Sequence, residues 1–89
     1  MRRINCRIGN LELMTTKTVS GDKEYLEIVE YFKEGNCMTI AIFEENNDGI
    51  SYLKFTGNRP LRPTINWIDF EKLIRLGYGF MSEEFYREG

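Results

Sequence analysis

Apolar and polar residues alternate with a period of two through the first part of this chain. Ile4, Cys6 and Ile8 interleave with Asn5 and Arg7, a short strand signal. Gly9-Asn10 reads as a two-residue turn. Leu11 to Val19 continues as a second strand with Leu11, Leu13 and Thr15 on one side, and Ser20-Gly21-Asp22-Lys23 is a loop. Tyr25 to Lys33 is ambiguous. Tyr25, Leu26, Ile28, Val29 and Phe32 have helical spacing, with Glu24, Glu27 and Glu30 on the wet side. The β-branched and aromatic content, and a Gly35-Asn36 turn running straight into another apolar segment, favour a strand.

The clearest signal is a hairpin of Cys37 to Glu44 and Ile50 to Thr56, reversed by Asn47-Asp48-Gly49, whose residues tolerate positive φ. Strict alternation on the first arm sends Met38, Ile40 and Ile42 one way and Cys37, Thr39, Ala41 and Phe43 the other. Both sets are largely apolar, so this strand is expected inside the sheet. The second arm puts Leu53 and Phe55 on one face and Tyr52 and Lys54 on a wetter one. Pro60 and Pro63 forbid ladder pairing, which makes Asn58 to Thr64 an extended loop. The period then changes to 3.6. Asn66 is a good N-cap, and Trp67, Phe70, Leu73, Ile74, Gly77 and Met81 form one helical stripe. Gly77 and Gly79 are expected to end or fray this helix, with a short last turn over Ser82-Glu83-Glu84-Phe85. The expected architecture is a single α+β domain over residues 1–89. It is a small antiparallel meander of four to five strands with one C-terminal helix on one face.

Composition narrows the chemistry. At 89 residues the chain is one domain that buries roughly 60–65% of its unfolded surface. The aromatic share of 13% exceeds what a minimal core needs, so an exposed aromatic patch suited to protein contacts or base stacking is expected. Histidine is absent, which removes Ser-His and Cys-His nucleophile pairs and the histidine general base. Zinc would have to rely on two cysteines and carboxylates. Cys6 and Cys37 have no CxxC partner and read as reduced, buried thiols. Met1-Arg2-Arg3 is followed by Ile4-Asn5-Cys6-Arg7, which breaks any signal-peptide core, and no run reaches membrane-spanning length. The expectation is a cytoplasmic protein without membrane attachment, metal, cofactor or catalytic residues.

Charge is unevenly placed around a net of −2. Asp22 to Asp48 holds eight acids against Lys23 and Lys33, whereas Lys54, Arg59 and Arg62 cluster without an acid from Gly49 to Ile68. Gly57-Asn58-Arg59-Pro60 has the makings of an oxyanion clamp, a guanidinium on a proline-stiffened turn. The plainer reading is that Arg59 caps a group within the fold while Pro60 ends the strand. Arg2, Arg3, Arg59 and Arg62 with Tyr52 and Lys54 are a candidate basic and aromatic RNA surface, set against a chain that is net acidic. The acids of residues 22–48 are a candidate mimic of nucleic-acid phosphates, or simply a solvated sheet face.

Thr39-Ile40-Ala41, then Leu53-Lys54-Phe55-Thr56-Gly57-Asn58-Arg59-Pro60, then Trp67-Ile68-Asp69-Phe70-Glu71-Lys72-Leu73 resemble small uncharacterised proteins of tailed bacteriophages. The resemblance covers Cys37 to Gly77, about half of the chain. Asn58 stands where that family commonly has an acid, so an Asp–Arg pairing inside the turn is not carried over. The resemblance implies phage origin and a working life in the host cytoplasm, and it brings no activity. With no active site in view, the expected function is that of a phage accessory protein in host takeover. It would bind and inhibit a host defence or toxin component by occupancy. Arg59 and Arg62 are the expected charged anchors and Tyr52 and Tyr78 the aromatic ones, with Lys54, Arg2 and Arg3 beside them. The alternatives are an RNA-binding module that inhibits a ribonuclease toxin through RNA, and a small structural protein that oligomerises, as a homodimer for instance, through strand edges.

Overall fold

The computed structural model describes residues 3–18, 20–21, 23–48, 51–55 and 65–88, with side chains left out at 51 and 84–88. Five strands, β1 (Asn5–Ile8), β2 (Leu11–Lys17), β3 (Glu24–Tyr31), β4 (Cys37–Glu45) and β5 (Ser51–Phe55), precede one helix, α1 (Trp67–Glu88). Each strand pairs antiparallel with the next, giving a meander in the order β1-β2-β3-β4-β5. The ambiguous Tyr25–Lys33 segment is a strand as far as Tyr31, with Lys33 in the turn that follows, and β3 occupies the centre of the sheet. Its Leu26, Ile28 and Val29 are of the side-chain types that pack well on a pleated surface. Gly9 (φ 60°) and Gly35 (φ 92°) reverse the chain after β1 and β3. That conformation is nearly free for glycine and costly for most other residues. Ahead of β5, Asn46 Oδ1 accepts from the Asp48 amide at 3.0 Å, an Asx turn that starts the reversal. The proline loop expected over Asn58 to Thr64 lies outside the described residues.

Cross-strand partners share a face, so the registers sort the sheet into two sides. Ile4, Cys6, Ile8, Leu11, Leu13, Thr15, Leu26, Ile28, Ala41, Phe43, Leu53 and Phe55 point toward α1. Leu11, Leu13, Leu26, Ile28, Ala41 and Phe43 form the core with Ile65, Phe70, Leu73, Phe80 and Met81. Two of the expected side-chain directions need correction. The β3–β4 register shifts between Ile28 and Val29, so that Ile28 faces Ala41 while Val29 faces Thr39. Ile40 is the extra residue of a β-bulge, and it joins Ala41 in the core. Thr39 and Ile42 therefore share the opposite side, against the strict alternation read from sequence. Cys37, expected to be buried, is exposed at the first position of β4, opposite Tyr31 on that same side; Cys6 faces the core, and both thiols are free.

The helix begins where expected. Asn66 Oδ1 accepts from the amides of Ile68 (3.1 Å) and Asp69 (3.2 Å), satisfying two of the N-terminal donors that a helix leaves unpaired. It does not end where expected. α1 continues through Gly77 and Gly79 to Glu88, because Gly77 is a packing position rather than a stop. A Cβ built there would lie 2.2 Å from Phe43 Cζ, so the missing side chain is what lets the Phe43 ring sit against the helix backbone. Trp67, assigned to the buried stripe, is instead 53% exposed. It sits in the first turn, edge-on to Phe70 with ring centroids 5.8 Å apart. Among the described residues no helix is long and apolar enough to cross a membrane.

Candidate functional site

Helix α1 lies against one face of the sheet, and among the described residues no other element packs on the second face. What would be a plain solvated face elsewhere is organised here into three tyrosine–glutamate pairs. Asn5 and Arg7 of β1, Glu12, Met14 and Thr16 of β2, and Tyr25, Glu27, Val29 and Tyr31 of β3 point to this side. So do Cys37, Thr39, Ile42 and Glu44 of β4 and Tyr52 and Lys54 of β5. The Tyr31 hydroxyl donates to Glu12 Oε1 across the β2–β3 pair. The Tyr52 hydroxyl donates to Glu44 Oε2 at 2.6 Å between its cross-strand partners on β4 and β5. Tyr25 and Glu27 are two apart on β3 and interact, and the Thr39 hydroxyl donates to Glu27 Oε1 at 2.6 Å.

Cations close the array at both ends. The Arg7 guanidinium rests 4.4 Å over the Tyr31 ring, and Arg7 stands opposite Glu12 in the ladder. Lys54 Nζ lies 3.7 Å from Glu44 Oε1 at the other edge. The centre is tight: Val29 is 5% and Glu27 4% exposed although no described helix covers them, and their ladder partners are Glu12 and Met14 on β2 and Thr39 and Ile42 on β4. The phenols feel these carboxylates. Its hydrogen bond to Glu12 raises the ionisation of Tyr31 above the ordinary 10.0, and the bond to Glu44 does the same for Tyr52. Tyr25 is raised too, first by desolvation and then by the Glu27 charge.

The residues singled out from sequence fall in several places. Tyr52 and Lys54 are on the uncovered face, side by side on Glu44. Tyr78 lies on the helix side, half-buried and edge-on to Phe43 at 5.3 Å. Arg3 lies at the N-terminal end of the β1 edge, with one guanidinium nitrogen 3.9 Å from Glu24 Oε1 and the other donating weakly to the Thr15 carbonyl at 3.5 Å. It lines a cleft of about 420 Å³ against Arg75, Leu76, Gly79, Phe80 and Glu83 of α1. Arg2, Arg59 and Arg62 lie outside the described residues. Tyr52 and Lys54 are thus brought together, while Arg3 and Tyr78 belong to other parts of the molecule. Sequence reading missed Arg7, Glu12, Glu27, Thr39, Glu44, Tyr25 and Tyr31 as a constellation. The available signal was the alternation of Tyr25, Glu27, Val29 and Tyr31, which puts them on one side once β3 is taken as a strand.

Each carboxylate of the three pairs already accepts from a hydroxyl, and no group of three or more cysteine or acidic side chains placed to hold a metal occurs among the described residues. No protein-family model, curated protein or solved structure matches this chain.

Proposed function

We propose that this protein is a binding module that acts by occupancy, laying its uncovered sheet face on a protein partner. The observation that carries the reading is the row of tyrosine–glutamate pairs on that face. Rings held in place by their own hydrogen bonds lose little freedom on docking, and tyrosine is enriched where interfaces concentrate their energy. The resemblance of Cys37 to Gly77 to phage proteins supplies the setting. In that setting the protein is a bacteriophage accessory factor that masks a host defence or toxin component in the host cytoplasm. The central carboxylates, and the engagement of Lys54 with Glu44, favour a protein over RNA phosphates as the occupant.

Capture from bacterial lysate, with and without nuclease, tests this. Wild-type protein is expected to retain a nuclease-resistant protein that the double variant Tyr52→Ala/Lys54→Ala loses, the variant keeping its circular dichroism spectrum. Equal capture by both would remove the face from the binding surface. Capture abolished by nuclease would replace the reading with an RNA-binding one. Self-association in sedimentation, lost in the same variant, would make the partner a second copy.

A further inference from the structure

The three tyrosine–glutamate pairs are not equivalent. The outer two each carry a cation of the chain itself. Arg7 stacks on Tyr31 beside Glu12, and Lys54 faces Glu44 beside Tyr52. The middle pair, Tyr25–Glu27, has the Thr39 hydroxyl as a donor but no cation among the described residues. Its carboxylate belongs to a residue only 4% exposed, on the central strand of a face that no described element covers. A desolvated carboxylate without a cation is costly, and a cation arriving there gains more than it would at an exposed acid.

We propose, building on the occupancy reading above, that the Tyr25–Glu27 position receives an arginine side chain of the protein partner. The guanidinium would stack on the Tyr25 ring and donate to the Glu27 carboxylate. The stacking repeats the contact that Arg7 makes with the Tyr31 ring toward the other end of β3. Arginine suits the position better than lysine. Its plane stacks on a ring while its edge donates two parallel hydrogen bonds, whereas an ammonium is a compact and strongly hydrated point charge. The partner is therefore a protein segment with an exposed arginine, flanked by surface that tolerates Arg7 and Lys54 at the two margins.

The test titrates the isotope-labelled full chain with three capped peptides, acetyl-Gly-Arg-Gly-Arg-Gly-amide and its lysine and glutamate counterparts, followed by amide chemical shifts. The arginine peptide is expected to move the Tyr25, Glu27 and Thr39 signals, to bind more tightly than the lysine peptide, and to weaken as salt rises. The glutamate peptide should leave the spectrum unchanged. Glu27→Gln keeps the shape and removes the charge, and should weaken arginine-peptide binding by about ten-fold or more. Glu71→Gln, on the helix away from this face, should leave it unchanged. Tyr25→Ala offers a second route should Glu27→Gln fail to fold, and should also weaken binding. Absence of arginine-peptide binding, equal affinity in wild type and both variants, or shifts centred elsewhere would overturn the assignment. The two proposals fail separately. Partner capture undiminished by Glu27→Gln but lost in Tyr52→Ala/Lys54→Ala sinks the arginine position and leaves the face. Capture undiminished in both sinks the face.

Discussion

Gly77 and Gly79 offer a controlled measurement of how closely the helix lies on the sheet. Both are interior to α1, so replacing either with alanine yields the same gain in helix propensity, about 0.8–1 kcal/mol. They differ in what the new methyl meets. At Gly79 no atom lies within 4 Å, and at Gly77 the methyl would stand 2.2 Å from Phe43 Cζ and 2.7 Å from both Cε atoms. Restoring ordinary contact at 3.4 Å requires the ring or the helix to retreat by about 1.2 Å, in a core packed at the density of an organic crystal. Phe43 is itself edge-on to Tyr78, so it cannot move alone. Overpacking of this kind costs about 1–3 kcal/mol. Gly79→Ala should therefore stabilise the protein by up to about 1 kcal/mol, and Gly77→Ala should be less stable than Gly79→Ala by about 1–3 kcal/mol. Urea unfolding followed by circular dichroism reads the difference. For a domain of this size each kcal/mol corresponds to about 4–8 °C in Tm. Adding Phe43→Leu should recover most of the Gly77→Ala deficit, a coupling that a double-mutant cycle isolates. Equal stabilities for the two alanine variants, or no coupling to Phe43, would refute the close approach of α1 to β4.

Other outcomes follow from the cap and from the phenols. Asn66→Ala should cost about 1 kcal/mol by exposing the Ile68 and Asp69 amides, while Asn66→Asp should be close to neutral in the same unfolding assay. The native pKa values of Tyr25, Tyr31 and Tyr52 are raised, so the folded protein holds these protons more tightly than the unfolded chain. Their contribution is complete below the ordinary value of 10.0 and is lost as pH climbs through the raised native values. Stability should accordingly fall above pH 10 less steeply in Tyr31→Phe than in wild type, and ultraviolet titration of the folded protein should show phenols ionising above 10. Trp67 emission should be red-shifted and readily quenched by iodide, since half of its surface is open.

Much of the architecture was legible because several strands carry an apolar signal at period two. Leu11, Leu13, Leu26, Ile28, Leu53 and Phe55 appear at period two, and Asn66 stands directly before a 3.6-residue stripe. The helix end was not legible, because glycine's weak propensity is overridden at Gly77 by the Phe43 ring, a contact that no local pattern encodes. The β4 directions were misassigned because a bulge leaves no mark in composition, and Met38 to Phe43 is apolar almost throughout. Trp67 carries the hydrophobicity of a core residue but sits in the first turn, with one edge on Phe70 and the rest in solvent. The site was half visible. Tyr52 and Lys54 could be paired from one strand, whereas Glu12 with Tyr31 and Glu27 with Thr39 depend on the registers of β2, β3 and β4.

Ile40 has a consequence for comparing this chain with any relative. Val29 would face Ile40 if the ladder were regular, and an isoleucine rather than the Thr39 hydroxyl would then stand beside Glu27. Excising that one residue would leave Thr39 opposite Val29 and Ala41 opposite Ile28, so every other position would keep its side of the sheet. A homologue shorter by one in β4 is therefore best aligned with its gap at Ile40 rather than in a neighbouring turn. Its acceptor at the glutamate position would still be answered by the same hydroxyl.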